Sequence, residues 1–322
     1  MNNFNFKRGN TVLAKHFLSL SILAAMTIGY LLPSMNALKD YLPFALGVSL
    51  FFSFLNIEFE NNWRIFLKRA FISSIWRYAV VPVICITLIQ AWYPTELFPG
   101  FLLIAIAPTA LGAVLLAQKI DRDVEFVAWD VLIQNLLAIV MIPLISGLFL
   151  NTNLEQSNLV KLFARLILIM FIPFILAWSL KKIIPKTSLI KFSSTFRYFN
   201  SFAIVFIIFV AVNLASAYIK KSGIPWPELS LVTVFLLVSM NYSCGFWLGQ
   251  KLKTGIIFSF VMGYRNTSLI LWVVLTFFNS AGAIPIVFYI LVQHLYNVVF
   301  LGLTQYEEVE TTPNFLRAHE ET

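Results

Sequence analysis

Residues 256–274 read IIFSFVMGYRNTSLILWVV, and the interruption at the middle of that run decides how the chain folds. A helix crossing about 30 Å of hydrocarbon takes roughly 20 mostly apolar residues. This run has that length, yet Gly263, Arg265, Asn266, Thr267 and Ser268 fall at its centre. Polar, helix-weakening residues in hydrocarbon are costly unless they are buried in protein or line a cavity. A second run, residues 104–117, reads IAIAPTALGAVLLA and places Pro108, Thr109 and Gly112 at the same depth. Pro108 removes a helix hydrogen bond and disfavours helical geometry at Ala107. The two runs therefore predict two discontinuous helices that cross near the membrane midplane, their half-helix ends and unwound backbone forming a binding site. The simpler reading is a pair of kinks packed against neighbouring helices.

Outward from these two runs the chain is apolar almost throughout. Of 322 residues, 59% are hydrophobic and only 12% charged, against about 25% charged in a soluble domain. That density leaves too few charges for a water-facing surface and predicts an all-α integral membrane protein. Ten runs qualify as spans: 16–33, 41–57, 71–92, 98–118, 124–150, 160–183, 197–220, 228–250, 254–278 and 282–304. The first follows Lys7, Arg8 and Lys15 but lacks a cleavage pattern after Pro33, so it reads as an uncleaved span. Between the second and third runs, Trp63, Phe66, Leu67 and Ala70 oppose Glu60, Arg64 and Lys68, the pattern of an amphipathic helix lying on the inner surface. Cys85 and Cys244 sit inside apolar runs with no metal spacing and predict no disulfide framework.

Basic residues fix the orientation. With the N-terminus inside, 16 of the 23 Lys and Arg lie in inner segments, among them Lys186, Lys191 and Arg197, and four in outer ones: Lys39, Lys161, Lys220 and Lys221. Arg77, Arg165 and Arg265 lie within spans. Both termini are expected in the cytoplasm, with a bacterial inner membrane as the location, and the +8 net charge needs no nucleic-acid partner. Trp92, Tyr93 and Trp226 suit the aromatic belts at the interfaces, and the acidic stretch from Gln305 onward reads as a solvated tail.

The chain also repeats itself. LIQNL (132–136) recurs as LVQHL (291–295), an offset of 159 residues, which also lays Pro108 and Thr109 over Thr267 and Ser268. Five spans per half is an odd number, so the second half enters the membrane upside down, as in the inverted repeats of secondary carriers. Residues 1–157 and 158–304 then form the two repeats, with 305–322 as a cytoplasmic tail.

With an Ala-Pro break in the fourth span, a Gly-x-x-Asn break in the ninth and a five-plus-five arrangement, the chain resembles the bile acid:sodium symporter family, whose wider relatives include arsenite and auxin carriers. The resemblance covers essentially the whole chain. It implies a core domain of spans 3, 4, 5, 8, 9 and 10 moving against a panel of spans 1, 2, 6 and 7, with a small-molecule substrate crossing between them by alternating access. It also implies where sodium-coupled members hold their cations, and here this sequence departs. Ala113, Val114, Val127 and Val131 stand at positions of oxygen-bearing ligands, Val261 stands at that of a shared Glu, and Arg77 and Arg265 replace two Gln. Hard cations need oxygen ligands. The departures imply a divergent branch that has abandoned both sodium sites and fills the second with built-in positive charge.

A buried arginine needs a partner. Asp130, with Gln134 one turn on and Asn135 beside it, is the acid farthest inside a span. It is expected either to pair with Arg265 as a structural ion pair or to carry a proton. Arg77 is expected in the site or snorkelling to the inner surface, and Arg165 snorkelling outward. His294, next to Gln293, is a proton relay or a core histidine. No cofactor or metal is implied, and no nucleophile, metal cluster or phosphate loop points to an enzyme. A secondary carrier for a small organic anion leads. Sodium symport through displaced ligands, an arsenite-like or neutral-solute carrier, and a non-transporting sensor are the alternatives.

Overall fold

The computed structural model describes residues 12–56, 63–93, 95–120, 123–150, 156–222 and 227–311. These residues form thirteen α-helical segments and no β-strand. An apolar chain in lipid must satisfy its backbone N–H and C=O groups internally, and helices do so within each segment. The segments are α1 (Val12–Leu31), α2 (Leu42–Asn56), α3 (Trp63–Ile75), α4 (Val81–Ile84), α5 (Phe98–Ile106), α6 (Gly112–Lys119), α7 (Val124–Phe149), α8 (Gln156–Ile183), α9 (Lys186–Ser222), α10 (Pro227–Leu252), α11 (Ile257–Gly263), α12 (Thr267–Phe277) and α13 (Ala283–Thr311). Each of the ten apolar runs contains helix among the described residues, and two of them, 98–118 and 254–278, each fall on a pair of helices separated by a short non-helical stretch. Among the described residues, seven helices are long and apolar enough to cross a membrane. Large apolar side chains such as Phe44 (74% exposed) and Ile183 (78% exposed) point away from the protein interior, as lipid-facing groups do.

Helices α2 and α9 pack along each other, with α1 against α9 and α8 against α2. The remaining helices pack around α5, α7, α11 and α12, which hold many of the fully buried side chains, including Phe101, Phe126, Phe258 and Trp272. Tight approaches depend on glycine: a Cβ on Gly100 of α5 would collide with the backbone carbonyl of Gly282.

Four local expectations change. The amphipathic surface helix is not a separate element. Residues 63–89 form one helical run with wider, π-type turns at Trp76–Val80 and Cys85–Ile89, because no breaker separates Trp63 from the apolar residues that follow. Ala70 on this run is buried, while Arg69 near its start lies 3.7 Å from Asp123. Second, the basic segment read as an inner loop is helical from Lys186, directly after Pro185, so α9 runs 37 residues, or about 55 Å at 1.5 Å per residue. Third, Tyr93 is buried rather than belted, its hydroxyl bonded to Thr233 Oγ1 at 2.5 Å and to the Leu229 carbonyl at 2.8 Å. Trp92 is exposed as expected, and Trp226 lies outside the described residues. Last, α13 continues through Gln305 to Thr311, so the tail is helical at its start; residues 312–322 lie outside the described residues.

Candidate functional site

Helix α5 stops at Ile106 because the next residue precedes proline: Ala107 takes an extended conformation (φ −62°, ψ 133°). Helix α11 stops at Gly263, followed by extended Tyr264 (φ −86°, ψ 97°). The two non-helical stretches lie antiparallel and pair. Ala110 N–H donates to the Tyr264 carbonyl (2.9 Å) and Asn266 N–H to the Pro108 carbonyl (2.7 Å), an isolated bridge centred on Thr109 and Arg265. Backbone groups freed by each interruption are thus satisfied by the other. Gln293 on α13 accepts from Arg265 N–H (3.1 Å), and Tyr289 donates to the Gly263 carbonyl (2.8 Å). Gly263 lies flush against the Tyr242 ring, where any Cβ would clash. Asn266 caps α12 by accepting from Leu269 N–H (3.2 Å).

Two guanidinium groups fill the space on one side of this crossing, and both arginines are fully buried. Arg77 donates to the Ala107 carbonyl, to Thr109 Oγ1 (2.8 Å) and to the Val261 carbonyl (2.9 Å). Arg265 donates to the same Ala107 carbonyl (3.1 Å) and to Asn241 Oδ1 on α10 (2.8 Å), which also accepts from Trp76 Nε1 (2.9 Å). Ala107 and Val261 belong to the C-terminal ends of α5 and α11, where carbonyls lack intrahelical partners and carry partial negative charge. Cations belong there, and here the chain supplies them.

Asp130 does not pair with Arg265; the expected ion pair is absent. Its carboxylate accepts from Ser73 (2.5 Å), Thr109 (2.8 Å) and Gln134 Nε2 (3.4 Å). Arg77 is its cationic neighbour, linked through the Thr109 hydroxyl, which accepts from Arg77 and donates to Asp130. Arg265 is turned instead toward α10, where Asn241 offers an oxygen. Snorkelling by Arg77 is likewise ruled out by its burial, since the carbonyl ends of two helices hold it inside. Arg165 is exposed, 5.6 Å over the Phe277 ring.

On the other side of the crossing lies a cavity of about 210 Å³. Its core-side wall is Ala110–Gly112 at the start of α6, Tyr264–Ser268 at the start of α12, and Gln293 and His294 of α13; its far wall comes from α2 and α9. The residues singled out from sequence thus divide in two. Gly112, Arg265, Asn266, Thr267, Ser268, Gln293 and His294 line the cavity. Arg77, Pro108, Thr109, Asp130, Gln134, Asn135 and Gly263 form the packed cluster around and behind the crossing, Asn135 bridging the Thr109 carbonyl (3.1 Å) to the Asn266 amide (3.3 Å). Sequence reasoning missed the α2 and α9 wall: Ser49, Ser53, Arg197, Asn200 and Ser201. Arg197, Asn200 and Ser201, at i, i+3 and i+4 on α9, share one helix face, a signal that counting Arg197 as an inner-loop charge concealed.

Residues 18–311 match the SBF-like CPA transporter family. The chain belongs to that family. It is accordingly a multi-pass membrane protein of a transporter family, which implies a small-molecule substrate. A search of curated proteins returned no match. Among the described residues no group of three or more His, Cys, Asp or Glu is placed to hold a metal ion.

Proposed function

We propose that this chain is a secondary transporter that carries a small organic anion by alternating access and does not couple it to sodium. In this reading α5 with α6, and α11 with α12, are two interrupted spans that cross at mid-membrane within a ten-span, five-plus-five inverted repeat. Helices α1, α2, α8 and α9 act as the panel and the rest as the core. The cavity between them holds substrate. Its α9 wall includes Arg197, which the positive-inside pattern assigns to the cytoplasmic side, so this reading takes the conformation as inward-facing.

One observation carries the proposal: the guanidinium groups of Arg77 and Arg265 sit on the carbonyl ends of α5 and α11. Sodium does not fit there. Val114, Val127, Val131, Val261 and Ala113 offer no side-chain oxygen, and the Ala107 and Val261 carbonyls are already held by arginine. The anion preference comes from the opposite helix ends. The starts of α6 and α12 line the cavity, and helix N-termini attract negative charge.

Thermal-shift screening of the purified protein against small organic anions, followed by counterflow of the hits in proteoliposomes, tests the proposal. Saturable exchange of equal rate in sodium and in choline is expected. Flux that stops when choline replaces sodium would overturn sodium independence, and ligand binding without any flux would make the protein a sensor.

A further inference from the structure

The cavity's own chemistry identifies what its occupant looks like, once the two central arginines are set aside. Arg265 contributes to the wall but is fully buried, and its Nη atoms are committed to Ala107 and Asn241. Arg77 does not reach the cavity. The one cationic side chain lining it that is free to meet a ligand is Arg197 on α9, exposed and with no hydrogen-bond or acidic partner among the described residues.

Beside this charge stands a set of unpartnered polar atoms. Ser53 on α2 and Ser268 at the start of α12 are 6% and 8% exposed, line the cavity, and make no hydrogen bond among the described residues. His294 Nδ1 lies 2.7 Å from the Ile290 carbonyl. A carbonyl only accepts, so Nδ1 carries the proton and, in the neutral ring, Nε2 is left as an acceptor. Buried polar groups without partners call for a ligand or water that supplies them. The size is limiting as well. A dry cavity of about 150 Å³ accepts benzene, so about 210 Å³ matches a molecule only slightly larger. Drug-sized sites run to roughly 300–1,000 Å³.

We infer that the cavity binds a small hydroxylated monocarboxylate, with Arg197 taking the carboxylate and His294 Nε2, Ser53 and Ser268 taking its hydroxyl groups. The inference rests on reading the cavity as the transport site. Because Arg197 belongs to α9 and the hydroxyl partners His294 and Ser268 to α13 and α12, such a substrate ties the two walls together. Its charge is then read by the wall that sequence inspection assigned only to topology. A sterol-sized anion does not fit.

Thermal melting of the full-length protein in detergent tests this, using glycerate and lactate as probes, with propanoate, the neutral amide of glycerate and taurocholate as comparisons. For the native chain glycerate is expected to raise the melting temperature most, lactate next, propanoate little, and the amide and taurocholate not at all. Arg197 is exposed, so Arg197→Gln should melt unchanged without ligand and bind glycerate at least about tenfold more weakly, the loss of a charge-assisted pair. Arg197→Lys should restore part of the affinity. His294→Leu should narrow the preference for glycerate over propanoate. The inference is overturned if the amide stabilises as well as glycerate, if Arg197→Gln binds glycerate like the native chain, or if no hydroxy acid shifts the melt. Arg197-dependent binding without flux in vesicles would leave it standing and remove the transport proposal instead.

Discussion

Replacing Arg77 with glutamine should do two things that only a tethered-cation reading joins. Arg77 serves three acceptors, the Ala107 carbonyl, Thr109 Oγ1 and the Val261 carbonyl, and is the charge nearest Asp130 in the hydrogen-bonded cluster. Glutamine is shorter and brings two N–H donors on one nitrogen, so it leaves carbonyl ends of α5 or α11 without a donor and Asp130 without its cation. Breaking a buried charge network in this way costs about 3–5 kcal/mol. At about 2 °C per kcal/mol for a large chain, the melting midpoint should fall by roughly 5–10 °C. The vacated space is then walled by oxygen atoms from Ala107, Val261 and Thr109, with Asp130 behind Thr109, the ligand type a hard cation requires. Sodium should therefore bind the variant and restore up to about 2.7 kcal/mol when present at 100 times its dissociation constant. The assay is melting of the detergent-purified protein in matched sodium and choline chloride. The native chain should melt identically in both, and Arg77→Gln should melt lower in choline and partly recover in sodium. A native chain stabilised by sodium, or a variant within about 1 kcal/mol of the native chain in choline, would refute the reasoning.

Asp130→Asn removes the acceptor of Ser73 and Thr109; melting and counterflow should be lost together, whereas loss of pH-driven uptake with counterflow intact would make Asp130 a proton carrier. Gly263→Ala forces a methyl into the Tyr242 ring and should cost about 1–3 kcal/mol by overpacking, lowering the melting midpoint in a way that the double variant with Tyr242→Leu relieves.

The positions of the helices were legible because hydrocarbon leaves few options. The apolar runs became helices apart from their interruptions, and the Ala107–Pro108 interruption followed from the restriction proline places on the residue before it. GYRNTS could be recognised as an interruption because its polarity had no lipid-facing explanation. Side-chain pairing was not legible in the same way. That Arg265 would turn to Asn241 rather than Asp130 depends on how α10 packs beside α11, a contact about 24 residues away in sequence with no periodic signature. The polar face of α9 was hidden for another reason: Arg197 is worth one count in a topology tally wherever its side chain points. The 63–89 helix was divided in two because amphipathic and spanning patterns abut there without a breaker between them.

A cation carried within the chain itself, as proposed, has a consequence for direction. Around the crossing two guanidinium charges face one carboxylate and two helix C-terminal ends, each end equivalent to about −0.5. The cluster is therefore close to neutral without any ion from solution. Under the proposed sodium-independent function no sodium gradient drives the cycle, so substrate would move down its own electrochemical gradient or exchange against another anion. A monoanion crossing alone carries its full charge through the membrane potential, worth about 2.3 kcal/mol per 100 mV, or roughly 50-fold in the concentration ratio. An inside-negative membrane thus favours exit over entry, and uptake should proceed only as exchange. In proteoliposomes, a potassium–valinomycin potential, negative inside, should speed net efflux of a bound anion and suppress net uptake, while one-for-one exchange stays unchanged because no net charge moves. Net uptake that rises with inside-negative potential would mean that at least two cations travel with each monoanion, and that the arginines at positions 77 and 265 have not replaced the coupling ion.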